Sequence, residues 1–451
     1  MIYARAPSQR PAKNRVAVVG AGLSGLRVAV DLATRLPATT VMLVDAGPFS
    51  RRRHEGLDRD AYPGDGRQRS WPSTGAHWSD AGGLKLRVGG RSLCWHGQLL
   101  PIEDYALADW PEIWRGRLAE RSAAILAELA PPRDGPGPLS QDWLRAGLSP
   151  VAQAGHLIVD ADGLVAAWSA YSPLDAALGL RNLTILHDDA VVSVESSCGL
   201  VRVLRTSGDP IEVDFCVLSA GAIGNVALLA QSLGEGLSVP LCDHLCAGAV
   251  MAFDSQTPVA APIRGDASLL GYRADDRLRA NSFYQELAPQ PDRTRTIDCW
   301  VLVEQLPLDA SILSCRPTAQ GAAAVAIEGR VTDSDIERTA AALAAADDFL
   351  HRTIAPVRDI VAMPDEAAAI AYARDRKGIV AHYPRAIGMI DHEACSHAIG
   401  TMCDDDLAVP GLPGVYLNGP GVFPRAGAAN PGLSILAVAS WLADSLADRI
   451  G

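Results

Sequence analysis

Two short segments near the C-terminal end carry side chains that could act together on a substrate. HAIGTM begins at His397, and AANPGLSI contains Asn430 followed by Pro431. A neutral imidazole is the common base near pH 7, and an amide can orient a reacting oxygen without competing for its proton. A structural interpretation is also open, in which His397 is a hydrogen-bonded core residue and Asn430-Pro431 begins a helix.

A glycine-rich turn lies at the opposite end of the chain. The valine-rich run at 16–20 predicts a strand buried on both faces, and GAGLSG at 20–25 follows it as G-x-G-x-x-G. A predicted helix and a second buried strand then lead to Asp45, which lies twenty residues beyond Gly25. An acid at this position can accept hydrogen bonds from a ribose hydroxyl.

Each position of the turn has a physical role in binding a dinucleotide. Gly20 permits the tight turn, Gly22 lets the backbone approach a pyrophosphate, and Gly25 lets helix and strand pack closely. Leu23 and Ser24 complete the turn beside the ligand, and the N–H groups and dipole of the helix that follows favour phosphate. The turn therefore predicts a dinucleotide site, but it does not separate NAD from FAD.

Composition and charge exclude several classes of protein. The chain has 451 residues, is 48% hydrophobic and carries a net charge of −12. This acidic balance argues against a nucleic-acid partner. The sequence starts without an apolar signal region, and no apolar run reaches the ~18 residues that span a bilayer. We therefore expect a cytoplasmic protein with no membrane partner.

The cysteines predict buried thiols and no metal centre. There are nine, an odd number, and several lie in apolar runs, as expected in a reducing compartment. Cys242 and Cys246 flank His244, but no second ligand pair accompanies them.

Hydrophobic periodicity predicts an α/β fold in which two domains interleave. The dinucleotide domain is expected from 15–240, with an irregular excursion at 50–160, and from 386–451. A smaller substrate domain, built on an antiparallel sheet, is expected at 241–385. Other predicted elements are helices at 110–130, 140–150 and 333–354, short antiparallel strands at 183–186, 190–195 and 200–205, a strand, turn and helix at 212–231, and a closing strand, loop and helix.

Together the motifs resemble those of the glucose-methanol-choline (GMC) oxidoreductases, a family of FAD enzymes. RVGGRSLCWHG is similar to the Gly-Gly-x-Ser segment that runs along the flavin, and LSAGAIGNVALL is similar to the second family signature. Leu241-Cys242-Asp243-His244 matches Leu-x-Asp-His, and HAIGT and the later NP match the active-site pair. These motifs occur in the family's order from residue 16 to 450.

The resemblance implies FAD as cofactor in a Rossmann-like domain and gives the active-site pair its roles. It implies that His397 takes the hydroxyl proton as hydride passes to flavin N5, while Asn430 orients the alcohol oxygen. It also implies that further residues lie at the cofactor: Gly89, Gly90, Ser92, Cys94, Trp95, His96, Val191 (against the adenine), Ala220, Asn418, Gly419, Pro431 and Leu433.

Two departures from the family pattern affect cofactor and substrate binding. Gly419 occupies the position of an acidic residue that touches flavin phosphate or ribityl oxygens, so FAD could be held differently there. The chain is also short for the family, which predicts a trimmed substrate domain.

The flavin segment is most similar to that of the pyranose-oxidase branch, which predicts a sugar or sugar-like alcohol as substrate. In that branch a histidine before tryptophan carries the flavin covalently. Here Cys94 stands at that position, before Trp95. A cysteinyl link is chemically feasible, but we expect a noncovalent flavin and a packed thiol.

Several functions stay open at this point. Alcohol oxidation with oxygen or another electron acceptor is the leading prediction. A flavin-retaining lyase that cleaves cyanohydrins is the alternative within the family, and a non-catalytic flavin-binding protein or an NAD-dependent dehydrogenase lies outside it. The oligomeric state is left open.

Overall fold

The computed structural model describes residues 14–49, 67–69, 71–75, 84–93, 95, 97–130, 146–154, 158–159, 165–166, 169, 171–254, 267–287, 294–319 and 321–451. Cys94, His96 and several stretches of the excursion predicted at 50–160, including 50–66 and 131–145, lie outside this set.

The first half of the chain contains short strands and five helices among the described residues. In order these are β1 (Arg15–Val19), α1 (Leu23–Arg35), β2 (Thr40–Val44), β3 (Arg67–Arg69), β4 (Ser73–Thr74), β5 (Leu84–Leu86), a 3-10 turn (Gly90–Leu93), β6 (Gln98–Leu99), α2 (Asp104–Leu107), α3 (Glu112–Leu129), β7 (Ala152–Gln153), β8 (Ile158–Val159), β9 (Val165–Ala166), α4 (Tyr171–Ala177), β10 (Leu183–Leu186), β11 (Val191–Ser197), β12 (Leu200–Arg205), β13 (Ile211–Val213), β14 (Phe215–Leu218) and α5 (Gly221–Leu233).

The second half contains longer strands and three further described helices. In order these are β15 (Leu237–Leu241), β16 (Leu245–Asp254), β17 (Ala267–Asp275), β18 (Ala280–Leu287), β19 (Thr294–Val303), β20 (Ser311–Arg316), β21 (Ala324–Glu328), α6 (Asp333–Thr353), β22 (Asp359–Ala362), α7 (Glu366–Asp375), β23 (Ile379–Arg385), β24 (Val415–Leu417), a 3-10 turn (Pro420–Val422) and α8 (Gly432–Ile450).

A five-stranded parallel sheet organises the dinucleotide side of the molecule. Its strand order is β10-β2-β1-β14-β24. β1 lies at the centre, and four of its five residues are buried, as a strand covered on both faces requires. Helices α1 and α8 pack together, so the two ends of the chain meet beside this sheet. The predicted α/β fold class is confirmed.

A second, six-stranded sheet has the strand order β17-β18-β19-β16-β23-β22. All of its neighbouring strands are antiparallel except β22 and β23. Along β16, Ala247 and Ala249 pack in the cluster that includes residues of α6. Val250 and Ala252 face the opposite side, against α7. This alternation follows from the two-residue period of a strand, and it leaves the rest of the second face directed toward the cofactor side.

Two predictions of local structure were wrong. The run at 183–186 pairs parallel with β2 in the main sheet, because a four-residue apolar run fits a parallel edge as well as an antiparallel one. Of the helix predicted at 140–150, residues 140–145 lie outside the described residues, and 146–150 are not helical. There Ser149 exchanges backbone hydrogen bonds with Tyr272, an extended pairing that overrides local helix propensity.

The described helices include none that is both long and apolar enough to cross a membrane.

Candidate active site

The glycine-rich turn forms the floor of an open cradle at the start of α1. Gly20 has φ +96°, and a Cβ on it would overlap the backbone of Ser219. A Cβ on Gly25 would overlap the carbonyl oxygen of Gly20, so this glycine is needed for close helix–strand packing. A Cβ on Gly22, in contrast, would meet no atom within 4 Å. The space above Gly22 is therefore available to a ligand.

The predicted Gly-Gly segment lies directly against this turn. Gly89 donates its N–H to the carbonyl of Ala21 at 2.7 Å, and a Cβ on Gly90 would lie 3.1 Å from the Cα of Gly22. Ser92 fixes the loop by donating its hydroxyl to the Gly89 carbonyl at 2.7 Å. Two backbone segments distant in sequence thus approach each other with no side chains between them.

The C-terminal loop closes the third side of the cradle. A Cβ on Gly419 would lie 3.4 Å from Ser24 Oγ, at the first turn of α1. Asn418 is fully buried; its amide donates to Ser219 Oγ at 3.1 Å and its Oδ1 accepts the Gly419 N–H at 2.9 Å. Ala220 lies at the same turn, where its N–H donates to Asn225. The amide of Asn418 therefore shapes the loop in which the family's acidic residue is missing.

The helix start offers donors to an anionic group. The N–H groups of Leu23, Ser24 and Gly25 lie in the first turn of α1, where helix geometry provides no intrahelical acceptor. The helix dipole adds a partial positive charge at this end. A pyrophosphate placed above Gly22 would thus meet donors and no opposing side chain.

Asp45 holds the glycine turn in place. One carboxylate oxygen accepts the Ala21 N–H at 2.7 Å and the other accepts the Gly47 N–H at 2.8 Å. Burial raises the pKa of this carboxyl, and the two backbone hydrogen bonds oppose that shift. Each oxygen has a second lone pair, so its predicted hydrogen bond to a ribose hydroxyl stays a prediction.

His397 is completely buried beneath the C-terminal loop. Its backbone N–H donates to the Gly421 carbonyl at 2.8 Å, and a Cβ on Gly421 would overlap the imidazole ring. The hydroxyl of Ser396 donates to the Ala222 carbonyl at 2.7 Å and lies 2.9 Å from Nδ1 of His397. Because the only hydroxyl proton of Ser396 is already used, Nδ1 carries the proton and donates it to Ser396 Oγ.

The remaining ring nitrogen, Nε2, carries the lone pair that a base requires. It lies 3.2 Å from the amide nitrogen of Asn225, which also lies 3.0 Å from the carbonyls of Leu218 and Asn418. The Asn225 amide has two protons for three nearby acceptors. The contact with His397 Nε2 is the longest of the three, so we expect the two carbonyls to take these protons. Burial lowers the pKa of His397 to about 3, which keeps the ring neutral. A hydroxyl can reach Nε2 only after the covering backbone or the ring shifts.

Asn430 lies outside the hydrogen-bond network that holds His397 among the described residues. It is half-buried, and its Oδ1 is buried without a hydrogen-bond partner among the described residues. Pro431 caps α8, and a Cβ on Gly432 would overlap the Trp95 ring. An unpartnered buried oxygen is costly unless a ligand satisfies it, so this end of the cradle has the character of a binding site.

Comparison with known proteins assigns the family. Residues 311–439 match the family model described as GMC oxidoreductase. The chain shares its fold with the pyridoxine 4-oxidase from Mesorbium loti, at 18% identity and a TM-score of 0.64 over 96% of this chain and 99% of that one. Residues 311–439 therefore form a C-terminal domain of the GMC oxidoreductase type. A fungal aryl-alcohol oxidase matches at 14% identity and a TM-score of 0.63, over 98% of this chain and 100% of that one.

No curated protein sequence matches this GMC oxidoreductase significantly. Family membership confirms two predictions, namely that the protein is an FAD-dependent alcohol oxidoreductase and that its cofactor is FAD. The cradle fits this cofactor, because Gly22 and Gly90 leave room for a pyrophosphate and because Asn430 presents an unpartnered oxygen at the far end.

Some predicted cofactor residues do not direct their side chains to the cradle. Leu433 is fully buried in a cluster with Leu99 and Leu436, so only its backbone could serve a ligand. Val191 opens β11 and is half-buried against the main core, and its predicted contact with adenine stays a prediction. Cys94 and His96 lie outside the described residues.

The loop that carries Asn430 in this GMC oxidoreductase is held by side chains that sequence analysis missed. Glu304 accepts hydrogen bonds from Arg425 at 2.7 Å and from the Gly427 N–H at 3.1 Å. Glu103 accepts from the Ala428 N–H at 3.1 Å. Neither glutamate belongs to a recognisable motif, so the sequence alone did not predict its role. Their burial reveals them, since carboxylates are rarely buried unless they are paired or hydrogen-bonded.

The Leu-x-Asp-His motif also supports this loop. Nε2 of His244 lies 2.9 Å from the Gly427 carbonyl, so it carries a proton and donates it. Nδ1 of His244 is then a bare lone pair that accepts from His392 at 2.7 Å. Asp243 accepts the N–H groups of Gly388 at 2.9 Å and His392 at 3.1 Å. The motif thus joins the two domains at the active-site loop.

We expect the buried His244 to penalise folding in acid. Burial lowers its pKa from 6.5 to about 4, so the unfolded chain takes up this proton before the folded one does as pH falls below 6.5. Wild type should therefore lose stability relative to His244→Gln between pH 6.5 and 4, by up to on the order of 3 kcal/mol. Thermal unfolding of both proteins across this range measures the difference. A gap between the two that does not vary with pH would contradict it.

An aromatic face of the substrate sheet lies against the Asn430 loop. Tyr272 stacks on Phe283 at 5.9 Å and 22°, and Phe283 lies 5.5 Å from Trp300. These rings form one row across β17, β18 and β19. Phe283 shares a cluster with Ala429, the residue before Asn430, and Tyr272 and Trp300 are half-buried around it. We call these three rings the aromatic row.

Proposed function

We propose that this GMC oxidoreductase oxidises a ring-bearing alcohol whose reacting hydroxyl binds beside Asn430. The observation that carries the proposal is the unpartnered buried Oδ1 of Asn430, which follows Ala429, a residue that packs in the cluster of the aromatic row. A hydroxyl hydrogen satisfies such an oxygen directly, and the aromatic row offers a flat surface to the rest of the substrate.

FAD, when bound in the cradle, supplies the acceptor for the hydride of the alcohol carbon. Asn430 would hold the hydroxyl, and the loop carrying it would be fixed by Glu103, Glu304 and His244. His397 would take the hydroxyl proton at Nε2. Its tautomer already leaves that nitrogen bare, and its lowered pKa keeps it unprotonated over the neutral range.

Two substrate classes use the aromatic row in different ways. Sugars stack the apolar face of a ring on aromatic side chains, and the pyranose-type flavin segment favours a sugar or sugar-like alcohol. Aryl and heteroaryl methanols stack a whole ring on the same surface, and the structures of pyridoxine 4-oxidase and aryl-alcohol oxidase share the fold. We retain the sugar-like alcohol as the proposal and the aryl alcohol as the second candidate.

The proposal is tested by mixing the purified enzyme without oxygen with a panel of sugars, polyols, aryl methanols and simple alkanols. We expect the visible flavin absorbance to bleach with ring-bearing alcohols before alkanols of the same size. Bleaching by sugars alone or by aryl methanols alone selects between the two candidates. Bleaching by none, with cyanohydrin cleavage instead, would favour the lyase.

A flavoprotein without catalysis and a nicotinamide enzyme each predict a simple observation. A non-catalytic flavoprotein would bind FAD and respond to no alcohol. An NAD-dependent dehydrogenase would purify without yellow colour, which the family assignment already opposes. Readmission of air after bleaching separates oxygen from another electron acceptor, because only an oxidase regains its colour rapidly. Cytoplasmic localisation stays a prediction from the sequence.

A further inference from the structure

Gln98 is a buried amide without a described partner. It is 3% exposed, and neither its Oε1 nor its Nε2 has a hydrogen-bond partner among the residues that the structure describes. A glutamine amide can donate two hydrogen bonds and accept two. Leaving both of its ends unsatisfied in the interior is strongly unfavourable, so this position suits a polar group that the described residues do not provide.

The fold places this amide beside the Asn430 segment. Leu99 packs with Leu433 and Leu436 on one side of the short strand β6. Leu100 packs on the other side, with Phe283 and Ala429. Leu99 and Leu100 thus face opposite sides of the segment that Gln98 begins.

A second contact fixes the same position from the other end of the segment. A Cβ on Gly432 would lie 3.4 Å from the backbone oxygen of Gln98. Asn430 therefore lies between the two points, Ala429 and Gly432, at which the β6 segment meets the loop. The N-terminus of the 19-residue helix α8 opens at this place and adds a partial positive charge. Gln98, Asn430 and the start of α8 thus lie on two segments that contact each other on both sides of Asn430.

We propose that Gln98 is a substrate-binding residue that recognises a second hydrogen-bonding group on the alcohol, apart from the hydroxyl held by Asn430. The inference rests on the proposed alcohol oxidation. A ligand that satisfies both residues carries at least two polar groups, so the substrate class is a polyol, a sugar or a hydroxylated ring. The flavin's pyrimidine edge offers similar donor and acceptor chemistry, and the test separates the two sources.

The variant Gln98→Met replaces the amide with an apolar chain of similar length, and Gln305→Met is its matched control. Gln305 is also buried, but its amide donates to the Arg330 carbonyl at 2.8 Å and accepts the Asp243 N–H at 3.4 Å. Without cofactor, Gln98→Met should melt at or above the wild-type temperature, because an unpaired amide leaves the interior. Gln305→Met should melt lower, because it leaves two backbone groups unpaired.

Two measurements decide between substrate and flavin: the kinetics of the holoenzyme and the binding of free FAD to the apoprotein. The kcat/KM ratio of a diol or sugar to the matched mono-alcohol should fall roughly 10- to 100-fold in Gln98→Met, while the FAD dissociation constant of the apoprotein should match wild type. An unchanged ratio would overturn the proposal even if wild type oxidises alcohols. A weaker FAD affinity would assign the amide to the flavin, and a lower apoprotein melting temperature would assign it a structural role; either result would also overturn it.

Discussion

Gly22→Val is expected to abolish FAD binding and to leave the fold of the apoprotein intact. Gly22 has φ −77° and ψ −168°, an extended conformation that valine adopts readily. Its Cβ would meet no described atom within 4 Å, so the substitution adds no overlap at that atom. The same atoms would occupy the place of the pyrophosphate. Absorbance of the purified variant and titration of its apoprotein with FAD measure the loss.

The matched control is Gly25→Ala, three residues along the same turn. Its new methyl group would overlap the carbonyl oxygen of Gly20, so strand β1 and helix α1 would have to separate. Overpacking of this kind typically costs about 1–3 kcal/mol, and the apoprotein itself should melt lower. If Gly22→Val binds FAD as wild type does, or if it melts as low as Gly25→Ala, the open cradle is not the cofactor site.

Replacing His397 with alanine should slow flavin reduction by alcohol by ~10²–10⁴-fold, which is typical of a lost general base and corresponds to about 3–5 kcal/mol of barrier. FAD should stay bound, because the glycine cradle is untouched. Asn430→Ala should cost less, since it removes positioning but leaves the base. Rapid-mixing measurements at saturating alcohol give the rates, and absorbance confirms FAD content.

Melting temperature and reduction rate together separate a base from a packing residue. With its pKa near 3, His397 stays neutral over the neutral range, so its ordinary titration near 6.5 should be missing from the wild-type rate profile. Alanine also leaves a cavity and releases one of the three acceptors around Asn225. If His397→Ala melts lower but reduces its flavin as fast as wild type, the histidine only supports the fold.

Sequence motifs predicted the cofactor half of this molecule well, because each motif is a backbone requirement. A glycine is the only residue that fits where a Cβ would overlap another segment, as at Gly25. The strand and helix on either side of it follow from buried valines and helical periodicity. The edge position of β10 was not predictable in the same way, since neighbours in a sheet are chosen by the whole fold.

The interior of the site could not be predicted from motifs. The depth of His397 depends on the absence of a side chain at Gly421 and on Asn225, a residue of another signature. Glu103, Glu304 and Gln98 stand alone in their segments, and only three-dimensional packing shows that they are buried around one loop. The α7 helix was missed as well, because its alanine-rich sequence has a weak apolar face.

The most direct test of the account is a single turnover without oxygen, with electrons and product counted together. The enzyme is mixed with a limiting amount of the alcohol that bleaches it, and the aldehyde or ketone formed is measured alongside the loss of flavin absorbance. The account predicts one carbonyl product for each flavin bleached, with a slower rate for the alcohol deuterated at its reacting carbon. Consumption of the alcohol or a cyanohydrin with no change in flavin absorbance would contradict it.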